Sequence, residues 1–297
     1  MRDEINIQWF PGHMAKARRM IAENIKLIDG VCEVVDARIP YSSRNPDLDE
    51  MTGGKPRLII FNRVDQADPD ATRRWVAQLS ADGASVLETD SKSGKGVERF
   101  PEAVRAMLAE RLAYYASRGQ VGRRLRVMVA GIPNVGKSSF INRAAKRKAA
   151  ATSDKPGVTR GKQWISIDAR LELLDTPGVL WPRFEDRVVA ENLAFTGAIR
   201  DEIMDISALG ANLMFRLKER YPERIAGRYK VDAEATSGGY DLLELAAKSR
   251  GFLISGGECD IDRMAAVLLD EFRAGKLGRI TLEQCGARGA ERECGSL

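Results

Sequence analysis

GIPNVGKSSF (131–140) reads as a phosphate-binding loop: Gly131, Gly136, Lys137 and Ser138 fit the GxxxxGK[ST] spacing, with the apolar run LRVMVA (125–130) before them and helical periodicity after. Glycine lets the backbone close around phosphate oxygens, so that the N–H groups of the loop and the N-terminus of the following helix face the negative charge. In such a loop Asn134, Val135, Gly136, Lys137, Ser138 and Ser139 surround the phosphates. The Lys137 ammonium reaches the outer phosphates and the Ser138 hydroxyl ligates magnesium. A chance match in a turn is the bland alternative, and the flanking strand and helix patterns weigh against it. The loop usually follows the first strand of its domain, yet here it begins almost halfway along a chain of 297 residues. The preceding 130 residues need an explanation.

Working outward, five segments read as short buried strands: VCEVVDA (31–37), RLIIFN (57–62), ASVLETD (84–90), LRVMVA (125–130) and RLELLDT (170–176). Helical spacing over 70–82, over 97–117 and after the loop alternates with them, which predicts a largely parallel α/β sheet. QWISID (163–168) reads as a sixth strand, antiparallel to 170–176 through a tight turn near Asp168 and Ala169.

The chemistry sits where these strands end. Asn62-Arg63-Val-Asp65 resembles the NKxD motif, in which a carboxylate accepts hydrogen bonds from guanine N1 and its 2-amino group, donors that adenine lacks. A site built for those donors rejects ATP, because its carboxylate would otherwise be left unsatisfied. Arg63 stands where lysine is usual, and its planar head can still cover the base. Taken alone, the tetrapeptide is also ordinary strand-to-turn punctuation. Asp90-Ser91-Lys92-Ser93-Gly94 resembles the short loop whose amides meet the guanine carbonyl, although polar residues are common after any strand. Asp175-Thr-Pro-Gly178 resembles DxxG, whose aspartate holds magnesium through a water and whose glycine amide senses the γ-phosphate. Between it and the phosphate loop, Thr159 lies in a stretch suited to closing over magnesium, giving two switch segments ordered by the triphosphate.

A conventional GTPase places the phosphate loop first, then the switch threonine, DxxG, NKxD and the guanine-carbonyl loop. Here the two base motifs come first, so the order is circularly permuted. The expected fold is a P-loop GTPase domain over 1–185, followed by a small all-helical domain over 190–297. In the latter, Asp260 reads as an N-cap, Ile261, Met264, Leu268 and Phe272 as one apolar stripe, and Gly275 as the stop.

Composition agrees with a soluble two-domain chain: 44% hydrophobic, 30% charged, net charge +5, with no apolar run near the roughly 18 residues needed to span a bilayer. The start MRDEINIQ has no apolar signal core, so the expected address is cytoplasmic with no membrane partner. Cys32, Cys259, Cys285 and Cys294 are scattered and read as reduced thiols. Basic clusters at Lys16 to Arg19, Arg123 to Arg126, Lys146 to Lys148 and Arg160 to Lys162 read either as solvated faces or as a surface for a polyanion.

WFPGHMAKARR (9–19), VDARIP (35–40), GIPNVGKSS and GKLGRITLE (275–283), together with the permuted order, resemble the YlqF/RbgA family of circularly permuted GTPases over nearly the whole chain. The resemblance implies a GTPase that uses GTP/GDP and Mg2+. It also implies binding to rRNA on the large ribosomal subunit precursor, with hydrolysis coupled to a late assembly step and to release; DNA is not an expected partner. Val179 stands where Ras-like enzymes carry the glutamine that orients water. By elimination and by resemblance, His13, the only histidine, becomes the candidate for that task, against a reading in which it merely contacts RNA. In related GTPases without the glutamine, an asparagine at the position of Asn134 helps hold K+, against the plainer reading of a turn-stabilising side chain. Arg263, Arg273, Lys276 and Arg279 are candidate phosphate contacts of the helical domain. Two alternatives remain at this level: a nucleotide-gated RNA- or protein-binding switch with incidental hydrolysis, and an ATP-using enzyme in which NRVD is accidental.

Overall fold

The structure is a computed structural model that describes residues 12–145, 163–181, 184, 186–201 and 204–286, with backbone alone for 12–17 and 163. Two compact units divide the chain, Met1–Phe184 with Glu283–Leu297, and Glu185–Leu282.

The first unit is built on a six-stranded sheet: β1 Gly30–Asp36, β2 Arg57–Asn62, β3 Ser85–Glu88, β4 Leu125–Ala130, β5 Gln163–Asp168 and β6 Leu171–Asp175. The spatial order is β3-β2-β1-β4-β6-β5. β1 pairs in parallel with β2 and with β4, β2 with β3, and β4 with β6, while β5 runs antiparallel to β6 as the sequence predicts. Every residue of β1 is buried, as expected of a central parallel strand covered on both faces. The covering helices are α1 Gly12–Asn24, α2 Leu48–Thr52, α3 Pro69–Ala81, α4 Phe100–Met107, α5 Ala109–Ser117 and α6 Lys137–Ala144. α3 starts where Asp68 accepts from the amides of Asp70 and Ala71, with Pro69 next, a pairing that satisfies free N–H groups and presets φ.

The segment 97–117, which has continuous helical spacing, is broken. A 3-10 turn at Val97–Arg99 precedes α4, and the chain bends at buried Leu108 before α5. Beyond the bend, the Tyr115 hydroxyl donates to Asp29 at 2.6 Å, ahead of β1.

The second unit contains α7 Arg187–Phe195, α8 Ile206–Arg220, α9 Pro222–Tyr229, α10 Gly239–Arg250 and α11 Ile261–Arg273. α8 approaches its neighbours through glycine: a Cβ on Gly210 would lie 2.5 Å from that of Ala265, and one on Gly239 would lie 2.0 Å from the Ala211 carbonyl oxygen. Asp260 accepts from the Arg263 amide as the α11 N-cap, and Met264, Leu268 and Phe272 are buried core. Arg273, one of the candidate phosphate contacts, has its guanidinium engaged within the unit. Its guanidinium forks onto Asp201 at 2.7 Å twice and donates to the carbonyls of Ala194 and Phe195, so it fastens α11 to the end of α7.

The helical unit starts slightly earlier than residue 190 and stops at Leu282, not at the chain end. Glu283 carries the return to the first unit. Its carboxylate accepts from the amides of Tyr41 and Ser42 at 2.6 and 3.0 Å and from the Ser42 hydroxyl, while its carbonyl accepts from Trp75 Nε1 at 3.1 Å.

Among the described residues no helix is long and apolar enough to cross a membrane, and no cluster of His, Cys, Asp or Glu is placed to hold a metal by itself. Cys32, Cys259 and Cys285 are free thiols; Cys294 lies outside the described residues.

Candidate nucleotide-binding site

Five parallel strands end on the same edge of the sheet, and the residues that follow them converge there: Asp36 after β1, Asn62 to Asp65 after β2, Asp90 to Gly94 after β3, the loop 131–136 after β4, and Asp175 to Gly178 after β6. This carboxyl edge is where open parallel sheets bind ligands.

The phosphate loop needs unusual backbone. Gly131, Asn134 and Gly136 have φ of 150°, 60° and 92°. A Cβ on Gly136 would lie 2.4 Å from Asn62 Nδ2, so a side chain there would push the loop off its neighbour. Lys137 Nζ arches back to donate to the carbonyls of Gly131 and Ile132 at 3.0 and 2.7 Å. Burial lowers its pKa to about 8 even though Asp175 attracts its charge. Ser138 and Ser139 are exposed in the first turn of α6, where the helix dipole and free amides favour anions.

Burial raises the Asp175 carboxyl against the pull of Lys137, and its Oδ1 is buried with no hydrogen-bond partner among the described residues. An acceptor left without a donor, sharing the Lys137 field at the sheet edge where the phosphate loop also ends, suits a divalent cation. Ser138 and Asp175 would hold magnesium, and the ion would neutralise charge on the phosphates. Thr159, the third expected ligand, lies outside the described residues.

Gly178 runs flush against the loop, since a Cβ there would lie 2.8 Å from the Pro133 nitrogen. The next residue is clamped: the Val179 amide donates to the Gly131 carbonyl at 3.2 Å, and its own carbonyl accepts from Asn45 Nδ2 at 3.1 Å. With the residue only 2% exposed, Val179 is core and has no polar group to offer a water.

At the base end, Asn62 acts as a strut. Nδ2 donates to the Val135 carbonyl at 2.8 Å, while Oδ1 accepts from the Ser91 hydroxyl at 2.7 Å and its amide at 3.2 Å. Asp65 is partly buried, and its carboxyl is raised first by burial and then by the charge of Asp90. The Asp90 carboxylate faces its own loop, accepting from the amides of Lys92 and Ser93 at 2.8 and 3.2 Å; these bonds outweigh burial and hold it charged. Asp90 therefore shapes the loop through which any base contact would pass. Arg63, with φ of 63°, donates to the Asn134 carbonyl at 2.7 Å and lies 3.8 Å from Asp36.

Two contributors are hard to find by motif. Arg38, 1% exposed, forks onto Asp36 at 2.9 and 2.7 Å, so VDAR ends β1 in a buried ion pair beside Arg63. Arg143 on α6 donates to the Lys92 carbonyl at 2.5 Å, tying the helix of the phosphate loop to the base loop. His13 falls within α1, and its side chain lies outside the described residues.

The phosphate loop and the Asn62-Arg63-Val64-Asp65 segment end on one sheet edge, with that segment earlier in the chain. That defines the class: a P-loop GTPase with circularly permuted motifs. A family model described as 50S ribosome-binding GTPase matches residues 126–211. "Ribosome biogenesis GTPase A" of Priestia megaterium is 44% identical over 94% of this chain and 97% of its own. The Bacillus cereus protein of that name is 43% identical over 93% of each. The structure of GNP-bound YlqF from T. maritima superposes with a TM-score of 0.63 at 28% identity, covering 91% of this chain and 98% of that one. The chain belongs to the ribosome biogenesis GTPase A (YlqF/RbgA) family, and it is a GTP hydrolase.

Proposed function

We propose that this GTPase acts in ribosome biogenesis in the cytoplasm, where it binds the maturing large subunit through rRNA and couples hydrolysis to a late assembly step and its own release. The observation that carries this reading is the buried Val179: the site holds nucleotide with no side chain at that position to orient the attacking water. An enzyme built this way waits for a group brought in from elsewhere, which makes stimulation by a bound particle the natural control. The names of its relatives, which include "Mitochondrial ribosome-associated GTPase 1" of Mus musculus at 32% identity, support the ribosome as that particle.

In this reading Asp65 reads guanine, Lys137 and the loop amides bind the phosphates, and Ser138, Thr159 and Asp175 hold magnesium. His13 supplies the water-orienting group when the particle is bound. Asn134 contributes to a K+ site, and the helical domain, with Arg263, Lys276 and Arg279, adds RNA contacts.

Single-turnover GTP hydrolysis with large-subunit precursors, with bulk RNA and with neither tests the proposal. Marked acceleration by precursors alone, lost in His13→Ala with particle binding intact, is expected. Equal rates in all three conditions would instead favour a nucleotide-gated binding switch.

A further inference from the structure

At the sheet edge opposite the nucleotide site, where β1, β2 and β4 begin, arginines lie on aromatic rings. Arg123 and Arg111 sit 4.2 and 5.6 Å from the centre of the Tyr115 ring, and Arg118 sits 5.6 Å from that of Tyr114, while Arg126 reaches along the sheet to sit 5.1 Å from the ring of Trp164, which pairs with Leu174 nearer the other end of the strands. Asp29 takes Arg111 at 3.0 Å, and Glu172 takes Arg124 and Arg126 at 2.5 and 3.0 Å. Despite that pairing, the side chains of Arg124 and Arg126 stay 51% and 46% exposed. Lys55 feels the Arg111 charge, so it belongs to the same patch. The cations Lys55, Arg111, Arg118, Arg123, Arg124 and Arg126 outnumber the carboxylates Asp29, Glu110 and Glu172.

Charge alone would fit any polyanion, but the patch also has a hollow. A cavity of about 360 Å³ is lined by Pro56, Met107, Leu108, Glu110, Arg111, Tyr114 and Tyr115. Apart from the Glu110–Arg111 pair of neighbours its lining is apolar and aromatic, and Tyr114 is 56% exposed. A guanidinium held on a ring keeps its N–H edge for phosphate, while the exposed part of the Tyr114 ring, with Arg118 beside it, can stack on a flat base. A run of carboxylates alone has no ring to place there, and the bases of a duplex are stacked out of reach.

We infer that this edge binds single-stranded RNA, with backbone phosphates on Arg118, Arg123, Arg124 and Arg126 and one unstacked base against Tyr114. The choice of RNA over DNA rests on the ribosomal reading above; the surface itself does not. A six-residue strand at about 3.3 Å per residue puts the patch roughly 20 Å from the phosphate loop, so nucleotide and RNA are held without overlap.

The test is fluorescence anisotropy of a labelled single-stranded 12-mer RNA with the full chain and GDP, across a KCl series. Arg118→Ala/Arg123→Ala should bind about tenfold more weakly at low salt, with a log–log salt slope shallower by about 1.4, since each lost contact with a single strand removes about 0.7. Tyr114→Ala should bind roughly tenfold more weakly at unchanged slope, and Tyr114→Phe as the parent does. GDP affinity should be the same in all four proteins, which also shows that they fold. Parent affinity and slope in both the double variant and Tyr114→Ala would overturn the inference. So would equally effective competition by polyglutamate or by an RNA duplex. Particle-stimulated hydrolysis is read in a separate assay, so loss of this surface and loss of the ribosomal role can be told apart.

Discussion

Asn62 Nδ2 donates to the Val135 carbonyl at 2.8 Å across 73 residues of sequence, joining the base-reading segment to the phosphate loop. The same side chain accepts from Ser91, so one amide fixes three loops. Asn62→Ala leaves a buried carbonyl and a buried hydroxyl without partners, which should cost about 2–4 kcal/mol of stability. Urea unfolding of the nucleotide-free chain checks this. GDP affinity should fall about tenfold or more, because the loops lose their register.

In the proposed function the choice of base falls to Asp65. Asp65→Asn puts an amide donor opposite the guanine 2-amino group, itself a donor, where xanthine has a 2-oxo acceptor, so GDP affinity should drop about a hundredfold while that for xanthosine diphosphate rises. Because burial and Asp90 both raise the Asp65 carboxyl, it takes up a proton sooner on acidification than an ordinary aspartate. GDP binding in the parent should therefore weaken from a pH above the usual aspartate range, measured by titration of a fluorescent nucleotide.

Lys137 couples binding to protons. Its pKa in the nucleotide-free fold is about 8, below the ordinary lysine value, so above that pH the amine is largely neutral. Phosphate favours the ammonium and raises the pKa again, so binding should take up a proton and affinity should decline as pH rises past about 8. Calorimetry at pH above 8 in two buffers of different ionisation heat measures the uptake. Lys137→Arg, always protonated, should remove it.

Asn134 occupies φ of 60°, a conformation that asparagine tolerates and glycine prefers. Asn134→Gly keeps that backbone and deletes only the side-chain amide. If the amide helps hold K+, hydrolysis in the parent should be faster in K+ than in Na+, and Asn134→Gly should erase the difference while still binding GDP. A K+ advantage retained by the variant would leave the side chain as a turn residue.

The regular part of this fold was legible because its signals are local. Each strand carries its own apolar run, and the antiparallel β5–β6 pair follows from two such runs around Asp168 and Ala169. Motifs at strand ends located the site for the same reason. What stayed hidden depends on partners far away in sequence. Glu283 belongs to the first unit because it reaches Ser42, 241 residues earlier, which no local pattern announces. Arg273 looks like a surface cation by composition and is instead engaged by Asp201 and two helix-end carbonyls. Nothing local to VDARIP tells that Arg38 folds back onto Asp36, two positions earlier, and that both are buried as a pair. The bend at Leu108 escapes a periodicity argument because helical spacing continues on both sides of it.

The permuted order gives the nucleotide a task that motif order alone does not suggest. The chain up to Gly94 makes three adjoining strands and the guanine side of the site; the chain from Leu125 makes the other three strands and the phosphate side. In the proposed reading guanine and phosphate are gripped by successive parts of one polypeptide, and the ligand stitches the seam between β1 and β4. Anything that binds both halves when folded and neither when separate adds its binding free energy to the cohesion of the sheet. During synthesis the base side emerges first and has nothing to share a nucleotide with until residue 178 has been made, so GTP or GDP becomes a late fastening of the finished domain.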